Sequence, residues 1–108
     1  MDVVSNESLI VGRYVKHDVL SNRPVFKQQN GLYYLYYRES ASKWYFSKDL
    51  SGKANSHYHE SQAYCPSTEI MGGVWFDWTG GWTEEPSTII KGCFLLHIVS
   101  LTEIREEN

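Results

Sequence analysis

The stretch NGLYYLYYRES, Asn30 to Ser40, places four tyrosines among the six residues that follow an Asn-Gly pair. Tyrosine suits the pleated, half-buried surface of a strand. Side chains alternate along a strand, so Leu32, Tyr34 and Tyr36 share one face and Tyr33, Leu35 and Tyr37 the other. Asn30-Gly31 lies between two such runs and predicts a type I′ hairpin turn, because both residues tolerate positive φ. A strand with rings on both faces cannot lie alone in water. It needs neighbouring strands and cover.

The flanking sequence supplies the strands. RPVFKQQ precedes the turn, and KWYFSKDL follows a polar connector at Glu39–Ser42. A meander is expected over about Arg23–Gln29, Leu32–Arg38 and Lys43–Lys48, with Trp44 and Phe46 opposite Tyr45. VWFDW and GWTEE flank the Gly-rich turn Thr79-Gly80-Gly81 and form a further hairpin. There Trp75, Asp77 and Thr79 share one face, and Phe76 and Trp78 the other. IVGRYVKHDV, Ile10 to Val19, reads as an opening strand. SGKANSHYHESQAYCPSTEIMGG, Ser51 to Gly73, is polar and turn-rich, a long loop with one short strand at His57–His59. Pro66 argues against a central strand there. The segment from Ile89 fits a strand, or a strand followed by a short helix, and periodicity alone does not arbitrate. The expected fold is all-β, an antiparallel meander of about five to seven short strands curling into a half-barrel or small sandwich. A single domain spans 1–108, with a core module over about 10–90 and an extension at 91–108.

Composition narrows the function classes. The net charge is -3 and no run of Lys or Arg occurs, which disfavours nucleic acid and anionic lipid surfaces. The most apolar run, Ile89 to Val99, is broken by Lys91 and His97 and is shorter than the ~20 residues of a membrane helix, so no membrane insertion is expected. The N-terminal residues carry Asp2 where a secretory signal would be basic. The chain therefore reads as a soluble domain, extracellular or cell-surface if cut from a longer secreted chain and cytoplasmic otherwise. Asn6-Glu7-Ser8 fits a glycosylation sequon, relevant only in the secreted case.

Aromatic residues make up 15% of the chain, and each large ring buries roughly 150–250 Å². Most of them are expected to build a core. A short chain has little with which to cover a second sheet face, which leaves Tyr33, Tyr37 and Tyr45 as a candidate exposed platform. Trp78 and Trp82 of the Trp-rich hairpin are the other candidate contacts. Such rings stack on sugars or take peptides.

Few constellations carry chemistry. His57 and His59 in HYHE point the same way on a strand, so with Cys65 they form a candidate metal set, with Glu60 as a further donor. The second ligand pair of a strong zinc motif is absent. Cys65-Pro66 has no identifiable base or oxyanion partner for a thiol nucleophile. Asp77, Glu84 and Glu85 lie among Trp75, Trp78 and Trp82, a weak echo of glycoside hydrolysis in a chain too short for a deep cleft. His17 and His97 stand alone, and Gly72-Gly73 and Gly80-Gly81 are turn glycines. Cys65 and Cys93 leave two readings open, one disulfide or two buried thiols.

The order GRYV, NRPVFKQQNGLYYLYY, KWYFS, AYCPS and GVWFDWTGGWTEEPS resembles a small aromatic-rich β module. That module occurs in tandem copies in large, mostly uncharacterised proteins of protists and marine invertebrates, many of them surface or extracellular. The resemblance covers Gly12 to Ser87, with anchors at Arg23-Pro24-Val25, Tyr33 to Tyr37, Trp44, Cys65-Pro66, Trp75 and Trp82. It implies a modular architecture and supplies no catalytic residues. Together these readings lead to a non-enzymatic interaction module without a cofactor, binding glycan or protein through an aromatic sheet face or the Trp-rich hairpin. The alternatives are a metal-binding or metal-dependent hydrolase site at His57, His59 and Cys65, and a structural spacer without ligand.

Overall fold

A computed structural model of the chain describes residues 1–53, 55–78 and 80–92. These residues form one antiparallel sheet of nine strands. The strands are β1 (Asp2–Val4), β2 (Gly12–Leu20), β3 (Arg23–Gln28), β4 (Tyr34–Arg38), β5 (Lys43–Ser47), β6 (Asn55–His59), β7 (Trp75–Trp78), β8 (Trp82–Glu85) and β9 (Ile89–Lys91). A short helix, α1 (Thr68–Met71), interrupts the loop between β6 and β7. The expected all-β half-barrel is what forms.

Strand order explains the curl. The sheet runs β8-β7-β6-β5-β4-β3-β2-β1-β9, so consecutive strands pair until the last, which joins the far edge beside β1. Laid flat at about 4.8 Å per strand, the two edges would be roughly 38 Å apart. Yet β8 ends at Glu85 and β9 begins at Ile89. A link of that length spans at most about 14 Å. The sheet must roll until its edges approach. Register shifts at Lys16/Asp18 and Phe46/Ser47 mark bulges of the kind that bend strands. The β1–β9 ladder continues into the link itself, where Ser5 Oγ meets Thr88 Oγ1 at 2.9 Å and the Asn6 N–H donates to Ser87 Oγ at 3.0 Å.

The concave face is filled by one cluster that draws on strands from β1 to β9. Val3, Tyr14, Phe26, Leu35, Trp44, Phe46, Trp75 and Ile90 all belong to it, together with Ile10, Tyr33, Tyr37 and Cys65. Phe46 lies at its centre, with ring centroids 5.7 Å from Tyr14, 5.9 Å from His57 and 4.8 Å from Trp75. A smaller cluster of Val25, Tyr36 and Tyr45 forms on the convex side.

Three expectations need correction. The strand count is higher than five to seven, because β1 and β9 are three-residue strands too short to register as periodic runs. The polar loop contains α1. Asn30-Gly31 is not a type I′ turn. Positive φ falls instead at Ser21 (53°) and Asn22 (60°), the tight turn between β2 and β3. Pairing of β3 with β4 ends at Lys27 and Tyr34, leaving a wider connection.

Gln28 organises that connection from within. Its Nε2 donates to the carbonyls of Leu9 (3.0 Å) and Val11 (2.9 Å), and its Oε1 accepts the Tyr33 N–H at 3.2 Å. Gly31 is there for space: a Cβ would come within 2.0 Å of Gln28 Oε1. Gly31→Ala is expected to expel the amide and cost about 1–3 kcal/mol. Since Gln28→Ala removes the same bonds, the double variant should lose clearly less than the sum of the two, as read from urea unfolding.

Candidate functional site

Two surfaces of the rolled sheet gather the chemically active side chains. The first is the convex face. Tyr36, Tyr45, Tyr58 and Phe76 are cross-strand neighbours on β4, β5, β6 and β7, and Glu84 of β8 completes the row. The ring centroids lie 6.1 Å apart from Tyr36 to Tyr45, 6.4 Å from Tyr45 to Tyr58 and 4.9 Å from Tyr58 to Phe76, the last pair stacked at 9°. Trp82 stands edge-on to Tyr58 at 4.7 Å, and Trp78 packs on Trp82 at 5.3 Å. Exposure rises along the row. Tyr36 and Tyr45 are buried, Tyr58 and Phe76 half-buried, and Trp82 and Trp78 remain 41% and 57% exposed. Lys43 Nζ sits 5.0 Å from the centre of the Tyr58 ring.

The candidate platform of Tyr33, Tyr37 and Tyr45 does not form. Tyr33 and Tyr37 belong to the interior cluster, while Tyr45 lies on the opposite side of the sheet and is itself buried. The expectation failed because the three rings lie on different faces, and the concave pair is covered. The Arg23 guanidinium lies 3.7 Å over the Tyr37 ring and donates to the carbonyls of Gln62 and Ala63. Trp44 Nε1 donates to the same Ala63 carbonyl at 2.9 Å. The segment after β6 thus straps the mouth of the half-barrel over these rings. Tyr33 also lines a cleft of about 380 Å³ with Leu9, Leu32 and Lys48.

The second surface is the polar end of the concave face. His57 on β6 pairs in register with Asp77 on β7, and Asp77 with Thr83 on β8. Thr83 Oγ1 donates to Asp77 Oδ1 at 2.7 Å. Glu7, from the loop after β1, crosses the seam so that ligand atoms of Glu7, His57 and Asp77 lie within 4.8 Å of one another. Glu85 completes the group and accepts from the hydroxyls of Ser87 and Thr88. Glu84 faces outward, because β8 alternates, so it cannot act with Asp77 and Glu85 on one substrate.

Burial and hydrogen bonding shift these groups in different directions. Desolvation, then a carboxyl–carboxyl hydrogen bond to Asp77 and the charges of Asp77 and Glu85, raises the Glu7 carboxyl above its ordinary range. Burial lowers the pKa of His57 against the opposing pull of Asp77 and Glu85. It lowers that of His59 in the same way, opposed by a hydrogen bond to the Gly72 carbonyl. Glu85 behaves differently. Burial pushes it up, but the hydroxyls of Ser87 and Thr88 and the Ser87 N–H outweigh burial and hold it below its ordinary value.

The candidate metal set is not brought together. His57 and His59 do share the concave face, but among the described residues Cys65 joins them in no common ligand group, and Cys65 is not a free thiol. His59 Nε2 is engaged by Gly72. Cys93, His97 and Thr79 lie outside the described residues. Glu7 and Ser56 were missed. Glu7 is far from His57 and Asp77 along the chain, and no local signal connects them. Comparison with known proteins finds no matching family model, curated protein or solved structure. The reading of these surfaces therefore rests on their own geometry.

The Glu85 network carries a pH dependence. Its folded pKa is below the unfolded one, so its stabilisation is complete above about pH 4.5 and is lost as pH falls through the folded value. Thr88→Val removes one of the hydroxyls. The stability gap between wild type and Thr88→Val is expected to be widest near neutrality and to shrink on acidification, measured by urea unfolding across an acid series. A gap that stayed constant with pH would show that Thr88 acts only through packing.

Proposed function

We propose that this chain is a non-enzymatic β module that binds a glycan on the ridge formed by Trp78 and Trp82. The observation that carries the reading is the combination of exposure with fixed orientation. Both indoles face solvent, yet each is braced by another ring, Trp82 by Tyr58 and Trp78 by Trp82. A ring held in place before binding loses little conformational entropy on binding. Indole faces are apolar and electron-rich, and match the C–H face of a pyranose. Glu84, two residues from Trp82 on the same face of β8, offers an acceptor to sugar hydroxyls.

Size favours a sugar over a protein. A standard protein interface buries about 800 Å² on each partner, with an apolar centre. Two exposed indoles edged by charged residues suit one or two sugar rings better. The resemblance to modules of surface proteins points in the same direction, since such proteins meet glycans.

A glycan array probed with the purified chain is expected to give saturable hits. Trp82→Ala and Trp78→Ala should each weaken binding about tenfold or more, the scale of about 1.4 kcal/mol of lost ring contact, while leaving the melting temperature nearly unchanged. Tyr36→Phe, far along the row, should bind normally. An array without hits, or hits that survive both tryptophan substitutions, would remove the reading.

A further inference from the structure

The polar end of the half-barrel contains an imidazole set up as a ligand. His57 is 5% exposed, and its Nε2 is buried without a hydrogen-bond partner. Its Nδ1 lies 2.8 Å from Ser56 Oγ. Ser56 has one hydroxyl proton, which goes to the Phe46 carbonyl at 3.3 Å. With the proton placed there, the Ser56 oxygen accepts from Nδ1–H of the neutral His57 ring. That tautomer leaves a bare lone pair on Nε2. A hydrogen bond at one ring nitrogen that presents the other as a donor atom is how metal-binding histidines are oriented.

Two carboxylates complete the set. Glu7 and Asp77 each bring an oxygen to within 4.8 Å of a ring nitrogen of His57 and of each other. Carboxylates this close do not stay charged together without a cation or a proton between them. Thr83 orients Asp77 from the side, and Glu85 is occupied by Ser87 and Thr88. Glu85 therefore adds negative potential without being free to ligate.

We propose that Glu7, His57 and Asp77 form a binding site for one divalent transition-metal ion of the zinc or manganese type, held by His57 Nε2 and one oxygen from each carboxylate. One imidazole with two carboxylates is a borderline donor set, suited to these ions and too nitrogen-bearing for calcium. Zinc bonds of about 2.0–2.2 Å place tetrahedral ligand atoms roughly 3.3 Å apart. Side-chain movements of about an ångström close the site to that spacing. Glu7 comes from the loop after β1, while His57 and Asp77 belong to β6 and β7. The ion therefore staples the N-terminal segment to the opposite wall of the rolled sheet, and its binding raises stability by mass action.

The test uses the full chain purified without a histidine tag, stripped with chelator and titrated with Zn²⁺, with Co²⁺ as an absorbing probe. One equivalent is expected to bind, with a rise in melting temperature and a Co²⁺ absorption band. Glu7→Gln, a partly exposed loop position that preserves the fold, should reduce affinity strongly, and His57→Ala should abolish it. Ser56→Ala should weaken binding about 10–100-fold by releasing the imidazole tautomer, whereas His59→Gln should bind like wild type. Failure to take up zinc or cobalt, or uptake that is indifferent to Glu7→Gln and Ser56→Ala, overturns the proposal. Glycan binding is read separately at Trp82, so either result leaves the other standing.

Discussion

The structure depends on the contact of Phe46 with the rings around it. It is wholly buried, on a central strand, and it touches Tyr14 from β2, His57 from β6 and Trp75 from β7. His57 is the cross-strand partner of Phe46, but β2 lies three strands from β5, and Tyr14 reaches the Phe46 ring because the sheet is rolled. The roll in turn lets β9 pair with β1 after the short link from β8. Curvature, core and closure are thus one constraint seen three ways. Among the described residues the interior is enclosed by the sheet itself, which serves as both layers.

Rolling sorts the side chains by face. Each central strand carries rings on both sides, but the two sides meet different surroundings. The concave set is enclosed by the opposite wall and by the strap over Trp44 and Tyr37. The convex set is covered only by its own neighbours. Its rings shield one another in sequence, so burial is nearly complete at Tyr36 and fades toward Trp78. The exposed ridge is the open end of a ladder whose other end is core, which gives it rigid support.

The same closure creates the polar cluster. Where the two edges approach, backbone and side-chain polar groups from β1, β7, β8 and β9 are brought together out of water. Ser5, Ser87, Thr88 and Glu85 satisfy one another there. Glu7, His57 and Asp77 do so less completely, and His57 Nε2 has no hydrogen-bond partner. Buried polar groups without partners are costly, which makes this end of the barrel the natural place for a bound cation.

The sequence by itself determined the local pattern. Alternation placed Trp75 and Asp77 opposite Phe76 and Trp78, set Trp44 and Phe46 against Tyr45, and located β3, β4 and β5 to within a few residues. These are legible because a strand repeats every two residues, and neighbours in sequence report it. Coverage was decided by the tertiary structure alone. Whether Tyr37 meets water depends on Arg23 and the carbonyls of Gln62 and Ala63. Whether Gly31 makes a turn or makes room depends on Gln28. Whether Glu7 is a sequon residue or a partner of Asp77 depends on the roll of the sheet. Each is a contact between segments distant in the chain, fixed by the closing of the barrel, and no local periodicity encodes it.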